Sequence, residues 1–340
     1  MNKVLIIAEA GVNHNGDINK AIELIDVAAV AGADFVKFQS FKAERLVNRT
    51  TKKADYQINN TKGEKDTQFE MLKKLEIGDD WYPTLIHRCK EKGIQFLSTG
   101  FDEFSADLLD GLNIPFHKIP SGEITNKPFL QHIARKGKDI IISTGMANLK
   151  EVKDALNVLF SEGIKKSQVT VLHCNTEYPT PMEDVNLLAM NQMANEFNVK
   201  VGYSDHTLGI EVSIAAVALG ACVIEKHFTL NRNLPGPDHA ASLEPEELKS
   251  MVNAIRNIEK AISGSGIKEA SNSEKKNLEV VRKSLHYSTD LNKGDVIQNN
   301  HLAILRPGTG ISPMLYEEII GKKLCINVFK NKFIKITDFL

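Results

Sequence analysis

Short β-branched runs alternate with amphipathic stretches along the chain up to about Ala261. The runs that predict strands are Val4–Ala8, Phe35–Gln39, Gln95–Ser98, Phe116–Ile119, Asp139–Ser143, Val169–His173, Lys200–Tyr203 and Val223–His227. Between them lie Ile18–Ala31, Asp79–Lys92, Leu149–Ser161, Gly209–Leu219 and Glu244–Ala261, where apolar residues recur every three or four positions. Ile18, Ile22, Leu24, Ile25, Ala28 and Ala29 show the spacing, which lines up one face of a helix. Strands alternating with helices predict βαβ units and a parallel sheet. Eight such units in about 260 residues predict an α/β chain folded as a (β/α)8 TIM barrel. A doubly wound open sheet has five or six strands and a glycine-rich first turn. The first turn here, Gly11-Val12-Asn13-His14-Asn15-Gly16, does not match GxGxxG.

The rhythm changes after Ala261. Ser263-Gly264-Ser265-Gly266 reads as a linker, and polar helical sequence follows to about Val281. Strand-like runs then appear at Ser284–Ser288, Leu302–Leu305 and Phe333–Ile336, separated by turn residues such as Asn292-Lys293-Gly294-Asp295 and Pro307-Gly308-Thr309-Gly310. The expected division is a catalytic barrel over 1–262, a linker over 263–281 and a small, mostly β domain over 282–340.

Charge narrows the partners. Lysine and arginine total 42 against 43 aspartates and glutamates, so no global field attracts nucleic acid or an anionic membrane. Affinity for an anion must be built locally. Cys89, Cys174, Cys222 and Cys325 are far apart and form no CxxC pair, which fits reduced thiols better than disulfides or a zinc site. The apolar run near the start is too short for a signal peptide or a span, and the chain is expected to be cytoplasmic.

A (β/α)8 barrel carries its active site at the C-terminal ends of the strands. Polar residues gather there: Glu9; Lys37 and Gln39; Ser98 and Thr99; Lys118, Ser121 and Glu123; Ser143 and Thr144; His173, Asn175 and Thr176; Ser204, Asp205 and His206; Glu225 and His227. The pattern predicts an enzyme. Alternation along a strand places Lys37 with Gln39, and Glu225 with His227, while Lys226 points the other way. His206 and His227 end neighbouring strands about 4.8 Å apart. They could share a divalent metal, Mn²⁺ first, with Mg²⁺, Co²⁺ or Zn²⁺ as substitutes. They could equally be hydrogen-bonded in the barrel mouth. Lys37, Lys118, Ser121, Ser143 and Thr144 suit an anion with several oxygens. Lysines paired with carboxylates such as Glu123, or a Schiff-base lysine, are the other readings. Glu9 suits general acid–base work or a structural bond to loop amides. His14 and His239 read as exposed loop histidines.

These motifs resemble bacterial sialic acid synthases, a family that includes N-acetylneuraminate and legionaminic acid synthases. The resemblance is carried by Glu9-Ala10-Gly11-Val12-Asn13-His14-Asn15-Gly16-Asp17, Val36-Lys37-Phe38-Gln39, Lys118-Ile119-Pro120-Ser121-Gly122-Glu123 and Ser143-Thr144-Gly145-Met146. His173-Cys174-Asn175-Thr176-Glu177-Tyr178-Pro179-Thr180-Pro181, Ser204-Asp205-His206-Thr207, Glu225-Lys226-His227-Phe228-Thr229, Pro235-Gly236-Pro237-Asp238-His239 and Arg306-Pro307-Gly308 extend it across the chain. The tail resembles that family's antifreeze-like SAF domain.

The resemblance implies a metal-dependent condensation of phosphoenolpyruvate with an N-acyl mannosamine-type sugar and water, releasing phosphate. N-acetylmannosamine, giving N-acetylneuraminate, is the first expectation. The alternative acceptor is 2,4-diacetamido-2,4,6-trideoxymannose, giving legionaminate. A Schiff-base pyruvate aldolase and a non-catalytic sugar- or ice-binding protein are the rivals from other classes. The resemblance assigns the metal to His206 and His227. It assigns phosphoenolpyruvate to Lys37, Thr99, Lys118, Ser121 and Ser143, with Asn175, Thr176 and Tyr178 lining the same pocket. Glu123, Gln39, Asp238 and Arg306 would meet the sugar, with Arg306 supplied by the second subunit of a domain-swapped homodimer. Glu9 would handle water or proton traffic. Many members have Ser-Thr-Pro-Phe where this chain has Ser98-Thr99-Gly100-Phe101, and Gly100 is expected to free the loop that carries Thr99 and Phe101.

Overall fold

In the computed structural model, residues 3–61 and 66–340 are described. The chain divides into two compact units, 1–264 and 265–340. In the first unit eight strands run parallel: β1 (Leu5–Gly11), β2 (Phe35–Ser40), β3 (Gln95–Gly100), β4 (Phe116–Ile119), β5 (Asp139–Ser143), β6 (Val169–His173), β7 (Lys200–Asp205) and β8 (Val223–His227). Their order is β3-β2-β1-β8-β7-β6-β5-β4, and β3 and β4 lie side by side at the seam, giving a (β/α)8 barrel.

Strand alternation sorts side chains into two populations. One parity faces outward: Ile6, Ala8, Val36, Phe38, Phe96, Ile140 and Ile142 pack against the helices in the main core. The other parity fills the lumen in layers. Ile7, Phe35, Leu97, Phe116, Ile141, Leu172 and Val223 form an apolar plug. Gly202 sits at the matching place in β7, where a Cβ would lie 2.4 Å from the Val223 carbonyl oxygen, so that position stays without a side chain. Two residues further along, the same faces carry Glu9, Lys37, Thr99, Lys118, Ser143, Cys174, Ser204 and Glu225. The period-2 geometry thus turns an apolar floor into a polar mouth within one step.

The longest connection runs from β2 to β3. It contains helices Ala43–Leu46, Asp55–Asn60, Gln68–Leu75 and Trp81–Lys92. Val12, Phe41, Met71 and Leu75 form a small buried apolar cluster there, with Leu46, Leu72 and Phe101 packed against it.

Lys226 faces away from the lumen. Its ammonium lies 3.0 Å from Asp205 and donates to the Thr207 carbonyl, with both charged side chains fully buried. It is a structural pair behind the site. His14 and His239 are buried, contrary to expectation. His239 Nδ1 lies 2.7 Å from Thr229 Oγ1, and His14 Nδ1 accepts from the Gly16 amide. His239 Nε2 also lies 3.2 Å from Asn15 Oδ1 and so ties the loop after β8 to the loop after β1, while the His14 ring packs on Trp81, which alternation could not foresee. Gly100 does not loosen its loop either. A Cβ there would lie 3.0 Å from the Ala106 amide nitrogen, so the glycine admits the close approach of helix Glu103–Gly111.

In the second unit, helix Asn272–Val281 precedes an antiparallel pair, β9 (Ser284–Tyr287) and β10 (Leu302–Leu305). Leu285, Tyr287, Leu291, Ile297, Ile319, Leu324, Val328 and Ile334 form its core. The expected strand at Phe333–Ile336 is reduced to one bridge, between His286 and Phe333. No helix among the described residues is long and apolar enough to cross a membrane.

Candidate active site

A cavity of about 640 Å³ opens at the C-terminal ends of the strands. Glu9, Lys37, Gln39, Thr99, Phe101, Lys118, Ser121, Glu123, Ser143, Thr176, Tyr178, His206, His227 and Asp238 all line it. The chain thus brings together residues from every barrel strand or the loop that follows it. Within the barrel unit one predicted residue, Asn175, is not among those that line the cavity. Asn175 turns its carboxamide oxygen to the Glu177 amide, 2.7 Å away, and offers its backbone carbonyl to His206. Arg306 belongs to the second unit, is exposed, and donates from Nε to the Val281 carbonyl.

The floor is an ionic cluster. Lys37 Nζ lies 2.8 Å from Glu9 Oε2 and 3.6 Å from Glu225 Oε2, and donates to Thr99 Oγ1 at 2.9 Å. Lys118 Nζ lies 3.4 Å from Glu225 Oε1, which also accepts from Ser204 Oγ at 3.0 Å. The lysines are therefore paired, but with Glu9 and Glu225 rather than with Glu123. Register explains this: Glu9 sits beside Lys37 on β2 and beside His227 on β8, and Ser204 sits beside Glu225. Glu225 is the hub that the sequence reading placed at a strand end without a role.

Burial and charge compete at each group. Burial disfavours ionised Glu225, but Lys118 and Lys37 outweigh it and hold the carboxyl down to about 2. Burial wins at Glu9, whose carboxyl is raised despite Lys37, with Glu225 adding repulsion. Burial also wins at Lys118, whose ammonium is destabilised despite Glu225. For Lys37 burial is overcome by Glu225 and Glu9, and the ammonium is favoured. Two lysines thus face one firmly ionised carboxylate and one carboxyl that burial pushes toward neutrality. The floor can accept an anion.

β1 bulges to aim Glu9. The register with β2 shifts between Glu9 and Gly11, and Gly11 adopts φ +52°. A Cβ on Gly11 would stand 3.3 Å from Gln39 Nε2 and Glu9 Oε1 and 3.4 Å from Asp238 Oδ2. The glycine keeps open the place where these three polar groups converge. Gln39 Nε2 donates to Glu9 Oε1 at 3.2 Å. Burial first, then Glu9, raises Asp238 to about 7.

The two histidines stand on the wall. Their ring centroids are 5.3 Å apart, and Tyr178 stacks on His206 at 4.1 Å. His206 Nδ1 is bonded to the Asn175 carbonyl oxygen, which places the proton on Nδ1 and leaves the Nε2 lone pair toward the cavity. His227 Nδ1 is buried without a hydrogen-bond partner, 3.8 Å from Asp238 Oδ2. Burial lowers His206 to about 4 and His227 well below the usual range, so both rings are neutral, as ligation requires. An orphaned ring nitrogen and a carbonyl-anchored partner fit a divalent cation. Among the described residues no third His, Cys, Asp or Glu completes a ligand cluster, so oxygens of substrate or water would have to fill the remaining positions.

Tyr56 packs on Tyr178 with ring centroids 5.0 Å apart. Asn60 Nδ2 donates to the Pro237 carbonyl at 2.6 Å and to the Tyr178 carbonyl at 3.4 Å. The β2–β3 connection therefore latches the loops after β6 and β8. Sequence reading missed this segment, because its short helices present apolar faces to the cavity instead of to the barrel core.

Comparison with known proteins agrees with this geometry. The NeuB family model matches residues 24–268, and the SAF domain model matches residues 282–340. The chain is 54% identical to N,N'-diacetyllegionaminic acid synthase of Campylobacter jejuni, over 98% of this chain and 100% of that protein. It is 50% identical to the N,N'-diacetyllegionaminic acid synthase of Legionella pneumophila, over 95% of this chain and 91% of that protein. The solved N-acetylneuraminic acid synthetase of Leptospira borgpetersenii superposes with a TM-score of 0.71 at 35% identity, covering 82% of this chain and 91% of that one. The barrel with its ionic floor, and the small C-terminal domain, place this chain in the NeuB family, with a SAF domain at its C-terminal end.

Proposed function

We propose that the chain is a legionaminic acid synthase, condensing phosphoenolpyruvate with 2,4-diacetamido-2,4,6-trideoxymannose and water to give a nine-carbon 2-keto sugar acid and phosphate. The N-acetylmannosamine reading gives way to its alternative, because two relatives at 50% identity or more are N,N'-diacetyllegionaminic acid synthases. The observation that carries the chemistry is the buried floor, where Lys37 and Lys118 face a single strongly ionised carboxylate.

Phosphoenolpyruvate would enter over that floor. Lys37 and Lys118 neutralise its phosphate and carboxylate. Ser121 and Ser143 add hydroxyl donors, and Ser143 Oγ is buried with no partner within the protein. Thr99 holds the Lys37 ammonium in place. Thr176 and Tyr178 border the same pocket, while Asn175, which does not line it, acts through its hold on His206. The sugar would lie above, oriented by Gln39, Glu123 and Asp238. His206 and His227 would hold a divalent cation, Mn²⁺ with Mg²⁺ or Co²⁺ as substitutes, which when bound supplies Lewis acidity at the sugar aldehyde. The enol carbon attacks the aldehyde carbon, and positive character develops at the carbon bearing the phosphate. Water captures that carbon. Burial keeps Glu9 more basic than an exposed carboxylate, so it can take one proton of the water. That proton makes good the one the former aldehyde oxygen gains as it becomes a hydroxyl, and the second water proton leaves with the phosphate as the keto group forms. The tetrahedral centre then expels phosphate, whose charge the lysines stabilise throughout. Lys37 binds Glu9 and Glu225 too tightly to favour the free amine of a Schiff-base aldolase, which leaves that rival to Lys118 alone, whose ammonium burial destabilises. Arg306, carried on the SAF domain, would reach the sugar from a second copy of the chain in a homodimer.

Phosphate release tests the reading. With Mn²⁺ present, release is expected only when phosphoenolpyruvate and the diacetamido sugar are both added. Release from phosphoenolpyruvate alone, or borohydride trapping of a pyruvate adduct on Lys37 or Lys118, would overturn it.

A further inference from the structure

The cavity is polarised. Its floor is ionic, yet one flank, from the β2–β3 connection and its neighbours, carries an apolar patch beside the polar Asp55, Gln57 and Gln68. All seven members of the satellite cluster there line the cavity: Val12, Phe41, Leu46, Met71, Leu72, Leu75 and Phe101. Four of them, Val12, Phe41, Met71 and Leu75, are buried and hold the group together. The other three, Leu46, Leu72 and Phe101, are half-buried and present surface to the cavity. A cluster that served the loop alone would have no need to turn three large side chains toward a polar site.

The acceptor sugar is polarised in the same sense. Its aldehyde end must meet phosphoenolpyruvate over Lys37 and Lys118. Its far end, C6, therefore points away from the charged floor. We infer that the flank formed by Leu46, Leu72 and Phe101 selects a sugar deoxygenated at C6, by packing on a methyl group where a common hexosamine carries a hydroxyl. This rests on the functional reading above and deepens it. A hydroxyl pressed against Leu46, Leu72 and Phe101 would lose water and gain no partner from those side chains, whereas a methyl group gains contact there. An apolar pocket of this kind discriminates by roughly 10- to 100-fold.

The test compares three acceptors with the full-length enzyme, phosphoenolpyruvate and Mn²⁺: 2,4-diacetamido-2,4,6-trideoxymannose, its 6-hydroxy counterpart, and N-acetylmannosamine. For the wild type, kcat/KM is expected to favour the 6-deoxy sugar over its 6-hydroxy counterpart by roughly 10- to 100-fold. Leu72→Asn should shrink that ratio at least about fivefold while leaving KM for phosphoenolpyruvate unchanged, since one polar group restores a partner for the hydroxyl. Leu46→Asn, made in case Leu72→Asn does not fold, should act in the same direction. Equal use of the two diacetamido sugars by the wild type, or an unchanged ratio in both folded variants, would overturn the selecting role of the flank alone. Turnover of N-acetylmannosamine with neither diacetamido sugar used would overturn the flank and the functional reading together.

Discussion

Glu225→Gln is expected to cost more than any other single change on the cavity floor. The carboxylate lies 3.4 Å from Lys118 and 3.6 Å from Lys37, and all three groups are buried. A carboxamide keeps the shape but removes the charge that both ammonium groups share. Breaking a buried pair by deleting one partner typically costs about 3–5 kcal/mol. Lys118 is the more vulnerable lysine. Burial already lowers its pKa, with Glu225 opposing that shift. Without Glu225 it sheds its proton more readily, and the floor loses a positive charge where phosphate would bind. The expected result is a lower midpoint in urea, a raised KM for phosphoenolpyruvate and a kcat lowered roughly 100- to 1,000-fold. Equilibrium unfolding and steady-state kinetics on one preparation separate the two effects. A variant with wild-type stability and wild-type KM would show that Glu225 is not the hub.

The second large effect concerns the histidine pair. His206→Ala and His227→Ala should each remove at least about 3 kcal/mol of transition-state stabilisation, a loss of at least roughly 100-fold in kcat. Chelation of the wild type with EDTA should abolish turnover, and added Mn²⁺ should restore it. Titration calorimetry gives a readout apart from activity: Mn²⁺ binding is expected in the wild type and absent from both variants. The variants should keep their fold, because each neutral ring makes few polar bonds. His206 holds the Asn175 carbonyl, and His227 Nδ1 has no hydrogen-bond partner at all. Full activity after thorough chelation would remove the metal from the account.

Much of the barrel was legible because its strands are β-branched runs bounded by polar turns. Asp139–Ser143, Val169–His173 and Val223–His227 have in the structure the bounds that the pattern predicts. β1, β3 and β7 run two or three residues further than the apolar signal does. The extra residues include Glu9, Thr99 and Ser204, polar groups that face the lumen. A functional strand end breaks the hydrophobic pattern at the point where the site begins, so the pattern underestimates the strands that carry chemistry. Much of the cavity lining was legible for the same reason, since polar residues at strand ends have one lumen to share; Tyr178 and Asp238 were named only by the family resemblance. The helices over 43–75 were not legible. They have 4, 6 and 8 residues, too few to show a helical period or to be stable alone. Their order comes from contacts such as Asn60 with the Pro237 carbonyl, which join segments far apart in sequence. Nor could spacing show that Glu225, rather than Glu123, would balance the lysines. That depends on the register of β8 against β7 and β1.

The most direct measurement is a competition in one vessel. Phosphoenolpyruvate, Mn²⁺, and equal amounts of N-acetylmannosamine and 2,4-diacetamido-2,4,6-trideoxymannose are given to the enzyme, and the 2-keto acid products are separated by mass. The account predicts that the diacetamido product dominates, with one phosphate released for each molecule formed. A mixture dominated by N-acetylneuraminate, or phosphate release with neither product, would contradict it.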